Sequence, residues 1–195
     1  MTTTLILPPV ATGTNDLFPL TDPNESSQVN TNIDREQLPN VATYISSSNI
    51  TPDLYKELQH IFNTYKVFPE IDAMEGYIAP APDSSWAIGL NPLGIFARHQ
   101  EENVSRYLYD PVVILDEQTA RDMSVVIVSG VINEQEQEEA KMLRIAPQMV
   151  QVVASNLEIA NQALDDFIET ADSDGIWRGW AEFRVEAISG PKARL

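Results

Sequence analysis

The sequence contains no cysteine and only two histidines, His60 and His99. The lack of cysteine excludes a disulfide scaffold, a thiolate-bound zinc or iron–sulfur site and a cysteine nucleophile. Two histidines cannot supply a three-histidine metal site. The glycine-rich phosphate loop, the dinucleotide fingerprint and the Gly-x-Ser-x-Gly motif are also missing. We therefore predict a protein that is not an enzyme, with no catalytic, metal-binding or cofactor-binding residue.

Basic residues are scarce as well: 12 against 29 acidic ones, which gives a formal net charge of −17. Binding to DNA, RNA or an anionic membrane needs lysine and arginine at phosphates, so this balance argues against those partners. Residues 1–10 lack the basic start of a secretory signal, and no run of 18 apolar residues occurs. We expect a soluble cytoplasmic chain with no tight nucleic-acid partner and no membrane partner.

Residues 1–50 differ in composition from the rest of the chain. They hold five of the 13 prolines and a single basic residue, Arg35, and neither helical nor alternating periodicity persists there. This pattern predicts an extended arm, held either by its own domain or by a neighbouring chain. Its small apolar clusters are candidate interface residues. They are Leu5, Ile6, Leu7, Leu17, Phe18 and Leu20.

The folded domain is predicted to begin with a helix over residues 51–65. Thr51 suits the N-cap and Pro52 suits the first helical position, and apolar residues follow at helical spacing. A short strand is predicted at residues 67–71. Residues 76–111 are rich in turn residues and form an excursion or a hairpin, two alternatives that the sequence leaves open.

The middle of the domain contains two β-branched runs, at residues 112–115 and 124–132. They predict adjacent, antiparallel strands, with Gly130 as a bulge or bend in the second. Because residues 125–128 are all apolar, both faces of that strand should be covered. Residues 134–145 are rich in glutamate and other good helix formers, and predict a helix that Pro147 ends or kinks.

Two further elements are predicted near the end of the domain. Ser155 and Glu158 form a capping-box pattern, which predicts a helix over residues 155–171. Apolar and polar residues then alternate over residues 176–188, which predicts a long strand with one buried face. Trp180 falls on its polar face, where it is either covered by long side chains or an interface anchor, so it joins the candidate interface residues.

Together these elements predict an α+β domain over residues 51–190, followed by a short tail at 191–195. We expect a small, mostly antiparallel sheet with helices packed on one face, plus the extended N-terminal arm. In element order, residues 50–190 resemble the tail-terminator and tail-completion proteins of the neck of tailed bacteriophages. That resemblance implies a small domain that forms rings through sheet edges and arms.

The resemblance implies a noncatalytic structural protein of a phage-like virion, assembled in the host cytoplasm. Its partners would be copies of itself and neighbouring virion proteins, and an acidic ring lumen would repel DNA phosphates and let DNA pass. The alternative is an acidic cytosolic regulatory protein that occupies a basic partner surface. An enzyme would require a pocket that joins His99 to the carboxylates around Glu101 and Asp110.

Overall fold

The computed structural model describes residues 40–66, 73–81, 84–102, 107–132, 136 and 138–185. The strands of these ranges are β1 (Asn40–Ile45), β2 (Ile78–Pro80), β3 (Tyr107–Leu115), β4 (Val125–Ile132), β5 (Glu138–Ile145) and β6 (Ile176–Trp177). The helices are α1 (Pro52–Thr64), α2 (Pro92–Glu102), α3 (Thr119–Asp122), α4 (Val150–Glu158) and α5 (Leu164–Glu169). Single 3-10 turns occupy Ser84–Ala87, Pro147–Met149 and Ala181–Phe183.

The six strands form one mixed sheet in the order β2-β1-β3-β4-β5-β6. β1 runs parallel to β2 and β3, and β6 runs parallel to β5. β4 is antiparallel to both of its neighbours, with Val128 opposite Val112 on β3. The α+β class is therefore confirmed, and so is the antiparallel pairing of the two β-branched runs.

Helices cover both faces of this sheet. On one face, α1, α4 and α5 pack against side chains such as Val113 and Ile127. On the other face, α2 packs Ile95 and Phe96 against Val126. The prediction of helices on one face only is corrected here, because the turn-rich segment 76–111 supplies α2 for the second face. The expectation that both faces of β4 are covered agrees with these contacts.

Helix α1 follows its sequence prediction closely. The Thr51 hydroxyl accepts a hydrogen bond from the Leu54 N–H at 3.2 Å, and Pro52 occupies the first helical position. Leu54, Leu58 and Phe62 are the buried residues of its apolar face. The N-cap and the apolar face are both encoded by neighbouring residues, so the local sequence is enough to predict this helix.

Strand β1 corrects the boundary of the predicted arm. The sequence predicts an arm over residues 1–50, but residues 40–45 form a strand between β2 and β3, with Val41 and Ala42 fully buried. Six residues flanked by polar sequence are too few to establish a period, which explains the error. Residues 46–50 follow as a described turn with Ile50 buried, whereas residues 1–39, with the six apolar interface candidates, and the strand predicted at 67–71 lie outside the described residues.

Strand β5 replaces the helix predicted at residues 134–145. Its eight residues pair one for one with β4, from Glu138 opposite Ile132 to Ile145 opposite Val125. Ala140, Leu143 and Ile145 are buried. Glutamate, lysine and leucine favour helices locally, but pairing with a buried strand outweighs a propensity of a few tenths of a kcal/mol per residue.

The helix predicted at residues 155–171 is two helices instead, so its capping-box prediction is wrong. Ser155 lies inside α4, where its hydroxyl donates to the Val152 carbonyl at 3.2 Å. Ala160 has a φ of 51°, a left-handed conformation that ends the helical path. α5 begins afresh at Leu164, and the Asp166 carboxylate accepts the Ala163 N–H at 2.9 Å.

The long strand predicted at residues 176–188 stops after two residues. Arg178 forms ion pairs with Asp172 and Asp174, which draw the chain back toward the preceding turn. The Val185 N–H then donates to the Arg178 carbonyl at 2.9 Å. These contacts act across the loop, so no alternating pattern along the sequence reveals them. Residues 186–190 lie outside the described part of the chain.

Trp177 anchors this last segment to the core. Its ring is fully buried, lies 5.0 Å from the Phe167 ring, and donates its indole N–H to the Thr170 hydroxyl at 3.1 Å. Trp180 packs edge-on against Trp177 at 5.1 Å and is partly buried. Trp180 is thus covered in part by aromatic rings of its own chain, and its role as an interface residue stays a prediction.

We expect Trp177→Ala to lower the free energy of unfolding by about 3–5 kcal/mol, because it empties a large, fully buried site. Trp177→Phe should cost clearly less, since it keeps most of the ring contacts and loses mainly the hydrogen bond to Thr170. Urea unfolding followed by far-UV circular dichroism measures both values. Equal losses for the two variants would contradict the packing described here.

Candidate functional site

Over most of its length the outer side of β5 has no strand partner among the described residues, although Ala140 in the middle of this stretch is buried. β6 pairs only with Arg144 and Ile145 at the end of the strand. No strand of the described ranges pairs with the outer side of residues 138–142, which we call the β5 edge. An unpaired strand edge presents backbone donors and acceptors that readily pair with another chain.

The hydrogen bonds around β5 fix which backbone groups face outward. The Ala146 N–H, just after the strand, donates outward to the Trp177 carbonyl on the β6 side at 2.9 Å. N–H groups alternate between the two sides of a strand, so every second residue before Ala146 also faces outward. The residues of the β5 edge that do so are Glu138, Ala140 and Met142.

Apolar and charged side chains flank the β5 edge. Met142 is 51% exposed. Lys141, which points to the opposite face, donates to both carboxylate oxygens of Asp165 on α5 at 2.8 Å. Glu139, on the same face as Lys141, is partly exposed. The α2 face of the edge therefore carries Glu138 as well as Met142, and the α5 face carries Glu139 and Lys141.

Two carboxylates converge at the start of this edge. The Asp110 Oδ2 accepts the Gly130 N–H at 2.7 Å, across the β3–β4 boundary. The position that a Cβ would take at Gly130 lies 2.9 Å from Glu138 Oε1 and 3.2 Å from Asp110 Oδ2. Gly130 pairs in regular register with Ala140, so the predicted bulge is corrected. The glycine leaves the room that the two carboxylates share.

Burial, with a smaller contribution from the neighbouring Glu138 charge, raises the pKa of Asp110 to about 6 against the lowering effect of hydrogen bonds from Ser129 and Gly130. Its second oxygen, Oδ1, is buried and has no hydrogen-bond partner among the described residues. Burial is also the largest cause of a raised pKa at Tyr109, which is half-exposed, and the charges of Glu138 and Asp110 add to it. Asp110 is therefore a charged group at neutral pH that destabilises the fold around it.

His99 lies in a separate buried pair on α2. Its Nε2–H donates to the Leu108 carbonyl at 2.8 Å, which leaves Nδ1 to accept the Tyr44 hydroxyl at 2.7 Å. Burial lowers the pKa of His99, so the ring is neutral. Both ring nitrogens are thus used within the chain, while Glu101 is exposed. Among the described residues, these contacts do not join His99 to the carboxylates that an enzyme would need.

Sequence reasoning missed the β5 edge and the Asp110–Glu138 pair. The edge was hidden because residues 138–142 were assigned to a helix. The pair was hidden because its members lie on β3 and β5, 28 positions apart, with Gly130 between them. The one local signal was a glycine inside a β-branched run, which marks a close approach by another group as well as a bulge.

Within the described ranges, no three histidine, aspartate or glutamate side chains are grouped so as to hold a metal ion. No helix of the same ranges is both long and apolar enough to cross a lipid bilayer. The strands and helices define an α+β domain built around one mixed sheet.

The chain belongs to a family described as a domain of unknown function, DUF6924, whose pattern matches residues 53–180. The matched region contains the β5 edge, Asp110 and His99, and it begins after β1. No curated protein and no solved structure matches the chain.

We expect Asp110→Asn to stabilise the protein by about 2 kcal/mol at pH 8, because it removes a buried charge and keeps an acceptor for the Gly130 N–H. In the wild type the folded state holds a proton on Asp110 up to about pH 6, whereas the unfolded state releases it near pH 4. Stability from this group therefore falls as the pH rises from 4 to 6.

The measurement is the difference in unfolding free energy between variant and wild type at pH 4, 6 and 8. His99, whose lowered pKa removes stability as the pH falls, is present in both proteins and cancels in this difference. The advantage of Asp110→Asn should vanish near pH 4. An advantage of the same size at all three pH values would show that the Asp110 charge is not the cause.

Proposed function

We propose that this protein is a noncatalytic structural protein that assembles with copies of itself through the β5 edge. One observation carries the proposal: over residues 138–142, no strand of the described ranges pairs with the outward N–H and C=O groups of β5. Pairing through such an edge supplies main-chain hydrogen bonds without any preformed cavity. The exposed Met142 adds apolar area to the same contact.

The ionised groups of the described residues support a structural role over a catalytic one. The Asp116 carboxylate accepts the Thr119 N–H at 2.9 Å and pairs with Arg144, which also donates to the Ser124 carbonyl at 3.2 Å. These contacts tie the β3–β4 connection to β5. Arg178 likewise forms ion pairs with Asp172 and Asp174, which hold the segment after β6 against the preceding turn. Such pairs hold loops in place and leave few groups poised for reaction.

A ring in the neck or tail of a phage-like virion is the narrower form of this proposal. A ring needs a head-to-tail contact, and an N-terminal arm that reaches a neighbour would provide one. The net charge of −17 per chain supports this setting, since an acidic lumen does not retain DNA. Neighbouring virion proteins would then be the further partners.

The proposal predicts that the full chain self-associates and that Met142→Pro abolishes the association. Proline at position 142 removes an outward-facing N–H and leaves the inward ladder to β4 intact, because that ladder uses the neighbouring residues. Met142→Thr is the matched control, since it removes the same apolar side chain and keeps the N–H. Sedimentation velocity from about 5 to 500 μM measures the effect, and negative-stain microscopy shows whether rings form.

Circular dichroism must show that both variants are folded. Association by the wild type and the threonine variant, but not by the proline variant, supports the proposal. A wild-type chain that stays monomeric across this range, and is captured instead by a basic protein surface, would favour the acidic regulatory alternative. Association that the proline variant retains would place the contact elsewhere on the molecule.

A further inference from the structure

We infer that acid releases helix α2 from the sheet, because a proton on His99 places a charge inside the contact and disrupts the hydrogen bond to Tyr44. Release exposes the apolar strand face around Val126, on which the helix packs. The inference goes beyond the proposed assembly and does not depend on the β5 edge. Two observations carry it: the buried position of His99 between α2 and two strands, and the polar residues on the side of α2 that meets the sheet.

His99 joins α2 to two strands at once, and its ring is only 2% exposed. Its Nδ1 accepts the Tyr44 hydroxyl of β1 at 2.7 Å, and its Nε2–H donates to the Leu108 carbonyl of β3 at 2.8 Å. This arrangement requires a neutral ring, because Nδ1 accepts only while it carries no hydrogen. A second proton on the ring occupies Nδ1, so the Tyr44 hydroxyl no longer donates to it. The proton also places a positive charge where water does not solvate it.

The side of α2 that meets the sheet is more polar than the corresponding side of α1. The buried residues of α1 are all apolar, whereas half of those of α2 are polar. The buried residues of α2 are Ile95, Phe96, His99 and Gln100. The Nε2 of Gln100 is buried and has no hydrogen-bond partner among the described residues, which costs free energy when the helix is docked. Because its apolar contact is small, α2 depends on the hydrogen bonds of His99, and we expect it to open before α1 does.

Other charged and titratable groups lie in this layer or at its rim, and they determine what a proton on His99 would meet. The 3-10 turn at Ser84–Ala87 and strands β2 and β4 contribute none. The groups are Tyr44 on β1, Tyr107, Tyr109 and Asp110 on β3, Glu138 and Arg144 on β5, and Arg98, Glu101 and Glu102 on α2. Since the tyrosines and arginines keep their protons throughout the pH range 4–8, only the carboxylates compete with His99 as pH-sensitive groups.

The nearest charges do not compensate a proton on His99. Glu102, one turn further along the sequence of α2, favours the proton, but its carboxylate is paired with Arg98 at 2.7 Å. Burial has the larger effect, so the pKa of His99 is lowered despite Glu102 and the bond to the Leu108 carbonyl. The docked helix therefore favours the neutral ring, and a helix released into water accepts the proton.

Asp110 acts in the opposite direction over part of the same pH range. Because its pKa is raised to about 6 in the folded state, acid stabilises the fold through this group between about pH 6 and 4. The pKa of His99 is lowered instead, so docking of α2 weakens as the pH falls below about 6.5, where a released histidine gains its proton. The two effects oppose each other in the wild type. The Asp110→Asn variant removes the first and leaves the effect of His99.

The first test measures amide hydrogen exchange of α2 and α1 in the full-length Asp110→Asn protein, by mass spectrometry of peptic fragments. The ratio between the two helices is used, because the intrinsic exchange rate changes with pH equally in both. We expect the protection of α2 relative to α1 to fall about tenfold or more between about pH 7.5 and 5. The matched variant H99Q/D110N keeps an amide donor for the Leu108 carbonyl and has no proton to gain. Its α2 should be less protected at pH 7.5, with a ratio that does not change with pH.

The second test follows the His99 ring itself and needs no substitution at that position. The chain has only two histidines, so a His60→Gln variant assigns their two imidazole signals in an NMR spectrum. We expect the His99 signal to show the neutral ring at pH 7.5, and to change in the same pH range in which α2 loses protection. This comparison decides the matter in the Asp110→Asn protein if H99Q/D110N does not fold.

The inference is supported if α2 loses protection before α1 does, in the pH range in which His99 is protonated, and if H99Q/D110N shows no such loss. An unchanged ratio down to pH 5 would overturn it, as would protonation of His99 without any loss at α2. A pH response that the glutamine variant keeps would assign the effect to the remaining carboxylates. Equal loss in both helices would show that the whole domain unfolds and that α2 is not released separately.

Discussion

The pairing of β5 with β4 is the constraint on which the rest of the molecule depends. Eight consecutive cross-strand pairs join the two strands without interruption. Because paired residues share a face, the ladder decides that Leu143 enters the core and that Met142 does not. It also decides which backbone groups of β5 turn away from β4. A shift of one residue would exchange the two faces and turn the outward groups inward.

The two helical layers explain why polar groups inside this sheet need partners. With α2 on one face and α1, α4 and α5 on the other, water does not reach the central strands. His99 meets this condition with two hydrogen bonds. One oxygen of Asp110 is satisfied in this way, because it accepts a hydrogen bond from the Gly130 N–H. This bond lies just beyond Val112 and Val128, where the backbone pairing of β3 with β4 ends. The Asp110 carboxylate joins β3 to the corner where the β5 edge begins.

The parts of the fold that sequence predicted are those with local causes. The cap at Thr51 and the β-branched run at residues 124–132 carry their structure in adjacent residues. The local sequence does not determine the structure of β1, β5 or the segment after Trp177. Pairing with neighbouring strands determines the first two, and ion pairs across a loop determine the third. The candidate site fell in the second group, since the β5 edge exists only if residues 138–145 are a strand and β6 is short. Composition did predict a noncatalytic protein, which stays a prediction.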